Sequence, residues 1–210
     1  MRKLFILFIL FGLQSCVSIQ KYNAQIYDPI SVDALHSDID YIYKKIKNHH
    51  PKLYTYISQS ELDYKFDSLK KSIHEPMNSY DFNRQLSPVL SSIRQGHISS
   101  IPRTKKLNKK ELKQLQAKGK SPLGQFDTDV FNNNMYIVEN NTNQNAIKIG
   151  TQIIAINDSN ISESLALTKN LFSSDGFNQT FYPHKIDRVF LSDYSYKYGI
   201  LDSVKYELKW

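Results

Sequence analysis

The feature that most constrains this chain is a change of hydrophobic period near residue 120. Before it, apolar residues recur at steps of three and four, the spacing of one helix face; after it they alternate or run continuously, as strands do. Three amphipathic helices are expected first. Val32, Leu35, Ile39, Ile42 and Ile46 form one face, with Ser31 placed to cap it and His49-His50-Pro51 ending it, because proline disfavours helix in the residue before it. A second helix begins at Ser60, with Asp63 three residues on, and carries Leu62, Phe66, Leu69 and Ile73 ahead of Pro76. A third starts at Ser79 and presents Phe82, Leu86, Leu90 and Ile93; Pro88 kinks or splits it, and Gly96 stands where a left-handed cap belongs. These faces predict a small helical bundle over residues 31–98.

The second half reads as β-rich. Val130-Phe131 and Met135 to Val138 flank Asn132-Asn133-Asn134, residues tolerant of positive φ, which predicts a hairpin. Ala146 to Gly150 leads into a strand from Gln152 to Asn157, whose Ile153, Ile154 and Ile156, with Ile149 before it, read as core. Ser162 is placed to cap a short helix carrying Leu165, Leu167 and Leu171, and Ser203 to Trp210 alternates with Val204, Tyr206, Leu208 and Trp210 on one side. The fold class is α+β, helical first and β-rich second, with no internal repeat. Seven glycines, seven prolines and one cysteine in 210 residues exclude a collagen, a low-complexity chain, a disulfide scaffold and a multi-cysteine zinc site. A globular chain seldom stops on a strand-like Tyr-Glu-Leu-Lys-Trp, so a continuation past Trp210 is expected.

Charge is concentrated rather than spread. Arg103 to Lys120 holds eight basic residues and one acid, Glu111, and so accounts for the entire net charge of +7. This basic linker or helix, residues 99–122, lacks an aromatic residue on which a base could stack, so no nucleic-acid partner is expected. A solvated face is one reading of it; a contact of Lys105 to Lys120 with anionic lipid headgroups is the other.

Met1-Arg2-Lys3 and the apolar run Leu4 to Leu13 have the size of a signal-peptide core, about half what a bilayer span requires. Leu13-Gln14-Ser15-Cys16 follows and resembles the bacterial lipobox. The resemblance implies cleavage after residue 15 and acylation of Cys16, the sole cysteine, which two or more acyl chains would anchor stably. Residues 16–30 are then a tether. The expected location is the cell envelope, on the outer membrane of a bacterium.

Several catalytic patterns fail on inspection. Gly119-Lys120-Ser121 lacks the first glycine of a phosphate loop, since Gln114 stands there, and no strand precedes it. Ser68-Leu69-Lys70-Lys71 fits Ser-x-x-Lys but has no partner motifs. No Gly-x-Ser-x-Gly or His-Glu-x-x-His occurs, and neither metal nor cofactor is called for. What remains is a combination: His49-His50-Pro51-Lys52-Leu53-Tyr54 after the first helix, Gly96-His97 after the third, the stretch Ile149 to Asn157, and Ser174-Asp175-Gly176. In this combination the chain, from Val32 to Trp210, resembles the tail-specific (C-terminal processing) serine peptidase family, in the branch common among bacterial surface lipoproteins.

That resemblance implies a helical N-terminal region followed by a PDZ-like domain over residues 123–175, with Thr151 where the family pattern prefers Asp. Residues 176–210 become a connection into a protease core that carries the serine nucleophile beyond Trp210. In tricorn-like members a histidine before the PDZ domain is the base, in a position similar to His97, and serine needs such a neighbour to become nucleophilic. The expected partners are a polypeptide substrate or peptide ligand, and the membrane through Cys16. A PDZ-like fold binds extended peptide by strand addition. Which residues do so is unknown from the sequence; Asn141 to Asn145 is the nearest polar loop. The rival expectation is a non-catalytic envelope lipoprotein that binds peptides or chain termini.

Overall fold

The computed structural model of the protein describes residues 18–210, and in it six of the seven α-helices begin on a side-chain cap. Cys16 and the apolar leader before it lie outside the described residues. The helices are α1 (Ile19–Ala24), α2 (Val32–His49), α3 (Gln59–Ser72), α4 (Ser79–Ser91), α5 (Lys109–Ala117), α6 (Ile161–Thr168) and α7 (Ile186–Tyr198). Ser31 caps α2 as expected, its hydroxyl accepting from the Ala34 N–H at 3.4 Å. Elsewhere the capping residue lies one or two positions upstream of the one the sequence suggests, although α4 itself begins at Ser79 as expected. Ser58 rather than Ser60 caps α3, Asn78 caps α4, and Asn160 rather than Ser162 caps α6. In each case the capping oxygen takes an N–H two or three residues on, so the upstream polar residue of the pair claims the role. α5 opens with a capping box between Asn108 and Glu111.

Pro88 does not split the third helix: α4 runs through it and ends one turn later at Ser91. The left-handed residue after α4 is Arg94, with φ of 56°, rather than Gly96. Helices α2, α3 and α4 close over one core in which Leu35, Ile39, Leu62, Ile73 and Ile93 are fully buried, with Leu53 and Ile57 from the turn after α2 completing it. The Tyr43 hydroxyl donates to the Asp63 carboxylate, tying α2 to α3 and holding that carboxyl below its ordinary range.

The second core lies on a five-stranded antiparallel sheet: β1 (Phe126–Phe131), β2 (Asn134–Asn140), β3 (Gln152–Ile156), β4 (Ser159–Asn160) and β5 (Tyr206–Lys209). The β1–β2 hairpin turns on Asn132 and Asn133, both at positive φ (48° and 60°), the geometry of a primed two-residue turn. β3 pairs with β2 and β4 and with β5, which leaves β1, the two-residue β4 and β5 each with one partner. Ile153 and Ile156 are buried as expected, whereas Ile149 is 70% exposed because the strand starts only after Thr151.

Helices α6 and α7 cover this sheet. The sequence reading did not foresee α7. Its Ile186, Phe190 and Tyr194, four residues apart, are buried, and Asp187 is buried beside them, accepting from the Thr128 hydroxyl of β1 at 3.1 Å. Residues 176–210, expected as a connection, thus contribute a helix and a strand to the second core.

Candidate functional site

Three of the motif-bearing segments, far apart in sequence, meet at the seam between the two cores. After α2 the chain passes through Pro51 to Ile57, pinned inward by Leu53 and Ile57. After α4, Arg94 in its left-handed conformation turns the backbone toward the sheet unit. After α6, a short 3₁₀ turn (Lys169–Leu171) brings Ser173 to Phe177 up to both. Backbone and side-chain hydrogen bonds close the seam. The Gly96 N–H donates to Asp175 Oδ1 at 2.8 Å, and the Gly176 N–H donates to the Arg94 carbonyl at 2.8 Å. Gln95 donates through Nε2 to the Lys52 carbonyl at 3.0 Å, while its own carbonyl accepts from the Ser173 hydroxyl at 3.3 Å.

The glycine at 176 is demanded twice. Its φ is +64°, and a Cβ there would stand 3.1 Å from the Tyr56 ring. Above it the Arg94 guanidinium lies 4.3 Å from the centre of the Phe177 ring, which Tyr56 meets edge-on at 6.2 Å. The seam therefore carries an exposed cation–aromatic cluster on a hydrogen-bonded base.

His97 sits in the turn that follows, one residue past the Gly96–Asp175 bond. It is exposed, and no hydrogen bond to its ring is made among the described residues. His49 lies on the surface with Nδ1 at 3.0 Å from the Lys45 carbonyl, while His50 is half-buried with its Nδ1 enclosed and without a hydrogen-bond partner. The loop Asn141 to Asn145 is largely engaged with itself and with the hairpin: Asn140 Oδ1 accepts from the Thr142 N–H and hydroxyl, and the Asn141 N–H donates to the Gln125 carbonyl. Lys71, the lysine of the Ser-x-x-Lys pattern, is exposed near the end of α3, and its neighbour Lys70 pairs with Asp40 at 2.6 Å.

The Asn157 that closes the β3 segment has a structural task. At φ of 49° it turns the chain into β4. Its N–H donates to the Lys205 carbonyl at 2.7 Å, its Oδ1 accepts from the Lys205 N–H at 2.9 Å, and its Nδ2 donates to the Tyr194 hydroxyl at 2.7 Å. One side chain thus ties β3, the lead into β5, and α7.

A second concave feature escaped the sequence reading. A cleft of about 770 Å³ opens between the end of α1, the basic segment and the turn between α7 and β5. Its signal in the sequence was the run of lysines, which periodicity alone assigns to solvent.

No family model, curated protein or solved structure matches this chain. Among the described residues no helix is long and apolar enough to cross a membrane, and no cluster of three or more His, Cys, Asp or Glu is placed to hold a metal ion.

Proposed function

We propose that this chain is the substrate-presenting N-terminal part of a lipid-anchored, tail-specific serine endopeptidase. In this reading the helical unit and a PDZ-like sheet unit hold an extended polypeptide, and a core beyond Trp210 breaks the bond. The observation that supports it best is the seam. The His-Pro turn, the Gly-His turn and the Ser-Asp-Gly turn, which carry the family resemblance, converge there. They leave His97 exposed and, among the described residues, without a hydrogen bond to its ring, so its imidazole can face a group brought from outside. The strands β1 and β5, each hydrogen-bonded on one side only, offer edges for strand addition.

Cys16 acts as the lipid anchor and the cell envelope is the site of action; no nucleic acid, metal or cofactor enters the scheme. A second reading, a non-catalytic lipoprotein that binds peptides, is favoured by one geometric fact: no serine hydroxyl hydrogen-bonds a histidine among the described residues. Two experiments separate them. Reading the coding DNA past Trp210 is expected to reveal an in-frame continuation of at least one further domain's length containing a serine elbow; a stop codon at that point contradicts the peptidase reading. In that longer product a fluorophosphonate probe is expected to label the serine, and His97→Ala to lower peptide hydrolysis by about 10²-fold or more. Unchanged hydrolysis removes His97 from the role of base.

A further inference from the structure

We propose that the cleft beside the basic segment is a binding site for a long-chain carboxylate, a single acyl chain ending in one negative charge. Four observations lead there. The first is size: about 770 Å³ lies within the 300–1,000 Å³ typical of small-ligand sites. The second is the division of the lining by polarity. Ile26 is buried and Leu107, Leu115 and Leu201 are half-buried along the walls, whereas Arg103, Lys105, Lys118 and Lys120 are exposed. Apolar wall and cationic rim match the two ends of a fatty-acid anion.

The third observation is the charge balance. Asp202 is the acid among the lining residues, and it meets Lys118 at 3.8 Å with both side chains mostly exposed, 69% and 97%. Such a pair is weak in water, and it leaves the cations of the rim available to an anion. The fourth is the state of α5. This helix buries none of its residues, and Leu112 and Leu115 stay at least partly in water. An amphipathic helix with an unfilled apolar stripe gains stability when a chain is laid against it.

The basic strap itself is held in place rather than loose. The Asn23 side chain both donates to the Lys106 carbonyl and accepts from its N–H, each at 2.8 Å, and the Lys106 ammonium lies 4.2 Å from the centre of the Tyr22 ring. The Arg103 N–H donates to the Ser79 hydroxyl at 2.8 Å. The backbone on either side of Lys105 is thus held at the mouth before any ligand arrives, which lowers the ordering cost of binding. This site is separate from the seam that supports the peptide reading, so the two stand or fall independently.

The test is titration of the full chain with dodecanoate, tetradecanoate and oleate below their micelle concentrations, followed by calorimetry or intrinsic tyrosine fluorescence. Saturable one-to-one binding is expected. Two added methylenes should tighten it about tenfold. An alkyl maltoside of equal chain length should bind at least about tenfold more weakly, and raising salt from low to high concentration should weaken the carboxylate but not the maltoside. Lys118→Glu with Lys120→Glu, both at exposed positions, should weaken dodecanoate at least about tenfold while leaving the circular dichroism spectrum and melting temperature unchanged. Leu115→Asp should do the same through the apolar wall. Equal affinity for maltoside and carboxylate, or no effect of either variant, overturns the proposal. So does displacement of dodecanoate by a single-stranded oligonucleotide, or a requirement for anionic vesicles, since both assign the cations to a larger polyanionic partner.

Discussion

At the scale of single residues, two glycines that look equivalent in sequence differ in what the fold asks of them. Gly176 sits at positive φ with the Tyr56 ring 3.1 Å from where a Cβ would be, whereas a Cβ on Gly96 would meet its nearest neighbour, Asp175 Oδ1, at 3.4 Å. Gly176→Ala is therefore expected to cost about 2 kcal/mol, the left-handed penalty plus displacement of the ring, and Gly96→Ala less than about 0.5 kcal/mol. Urea unfolding of the two variants measures both; an equal loss contradicts this account of the seam. Asn157 offers a second contrast. Asn157→Ala loses the two side-chain hydrogen bonds and the tolerance of φ at 49°, and should cost about 3 kcal/mol. Asn157→Gly loses the two side-chain bonds but keeps the backbone freedom, so it should fall about 1 kcal/mol short of the alanine loss.

At the scale of elements, α4 is the member that joins the halves. One of its faces carries Phe82, Leu86 and Leu90 into the helical core. Off that face, Arg84 reaches Asp193 of α7 at 3.2 Å, the Tyr80 hydroxyl donates to the same carboxylate at 3.3 Å, and the Ser91 hydroxyl donates to the Asn170 carbonyl at 3.1 Å. Burial pushes the Asp193 carboxyl above its ordinary value, and the Arg84 charge and the Tyr80 hydrogen bond pull against it. A carboxyl raised in the folded state contributes stability that is complete below its unfolded value and is lost as pH climbs through the folded one. Arg84→Ala removes an opposing charge, raises the folded value further and leaves a mostly buried carboxylate with the Tyr80 hydroxyl and the more distant Lys197 charge but no ion pair. The expected loss is about 2 kcal/mol at pH 7, shrinking toward zero below pH 4, where the carboxyl is neutral in both states. Melting curves of wild type and variant between pH 3.5 and 7 test this; a loss independent of pH would mean that packing, not charge, is what Arg84 supplies.

The same helices show what the sequence made legible. The faces of α2, α3 and α4 were plain because each is a wide apolar stripe over an otherwise polar helix. The β1–β2 turn was plain because asparagines tolerate positive φ. α7 was obscured: its buried row of Ile186, Phe190 and Tyr194 is narrow, and Asp187 is buried within it. The seam was legible only as separate motifs, since Gly96 and Asp175 are 79 residues apart and local patterning says nothing of such contacts. The cleft was hidden for a related reason, because its walls come from the residues just past α1, the basic segment, and the end of α7 with the turn after it.

At the scale of the whole molecule, two hydrophobic cores share one connecting helix and one hydrogen-bonded seam, with His97 exposed beside that seam. Free strand edges and the cation–aromatic cluster of Arg94, Tyr56 and Phe177 lie on the outside. Such an arrangement suits holding an extended chain; acyl transfer further requires a hydroxyl activated by a base and donors for the oxyanion. The most direct measurement is to incubate the purified 210-residue chain with a library of unstructured peptides and record both retention and hydrolysis. Selective, saturable retention with every peptide recovered intact is the predicted result, and stoichiometric cleavage of any of them by the chain alone would contradict it.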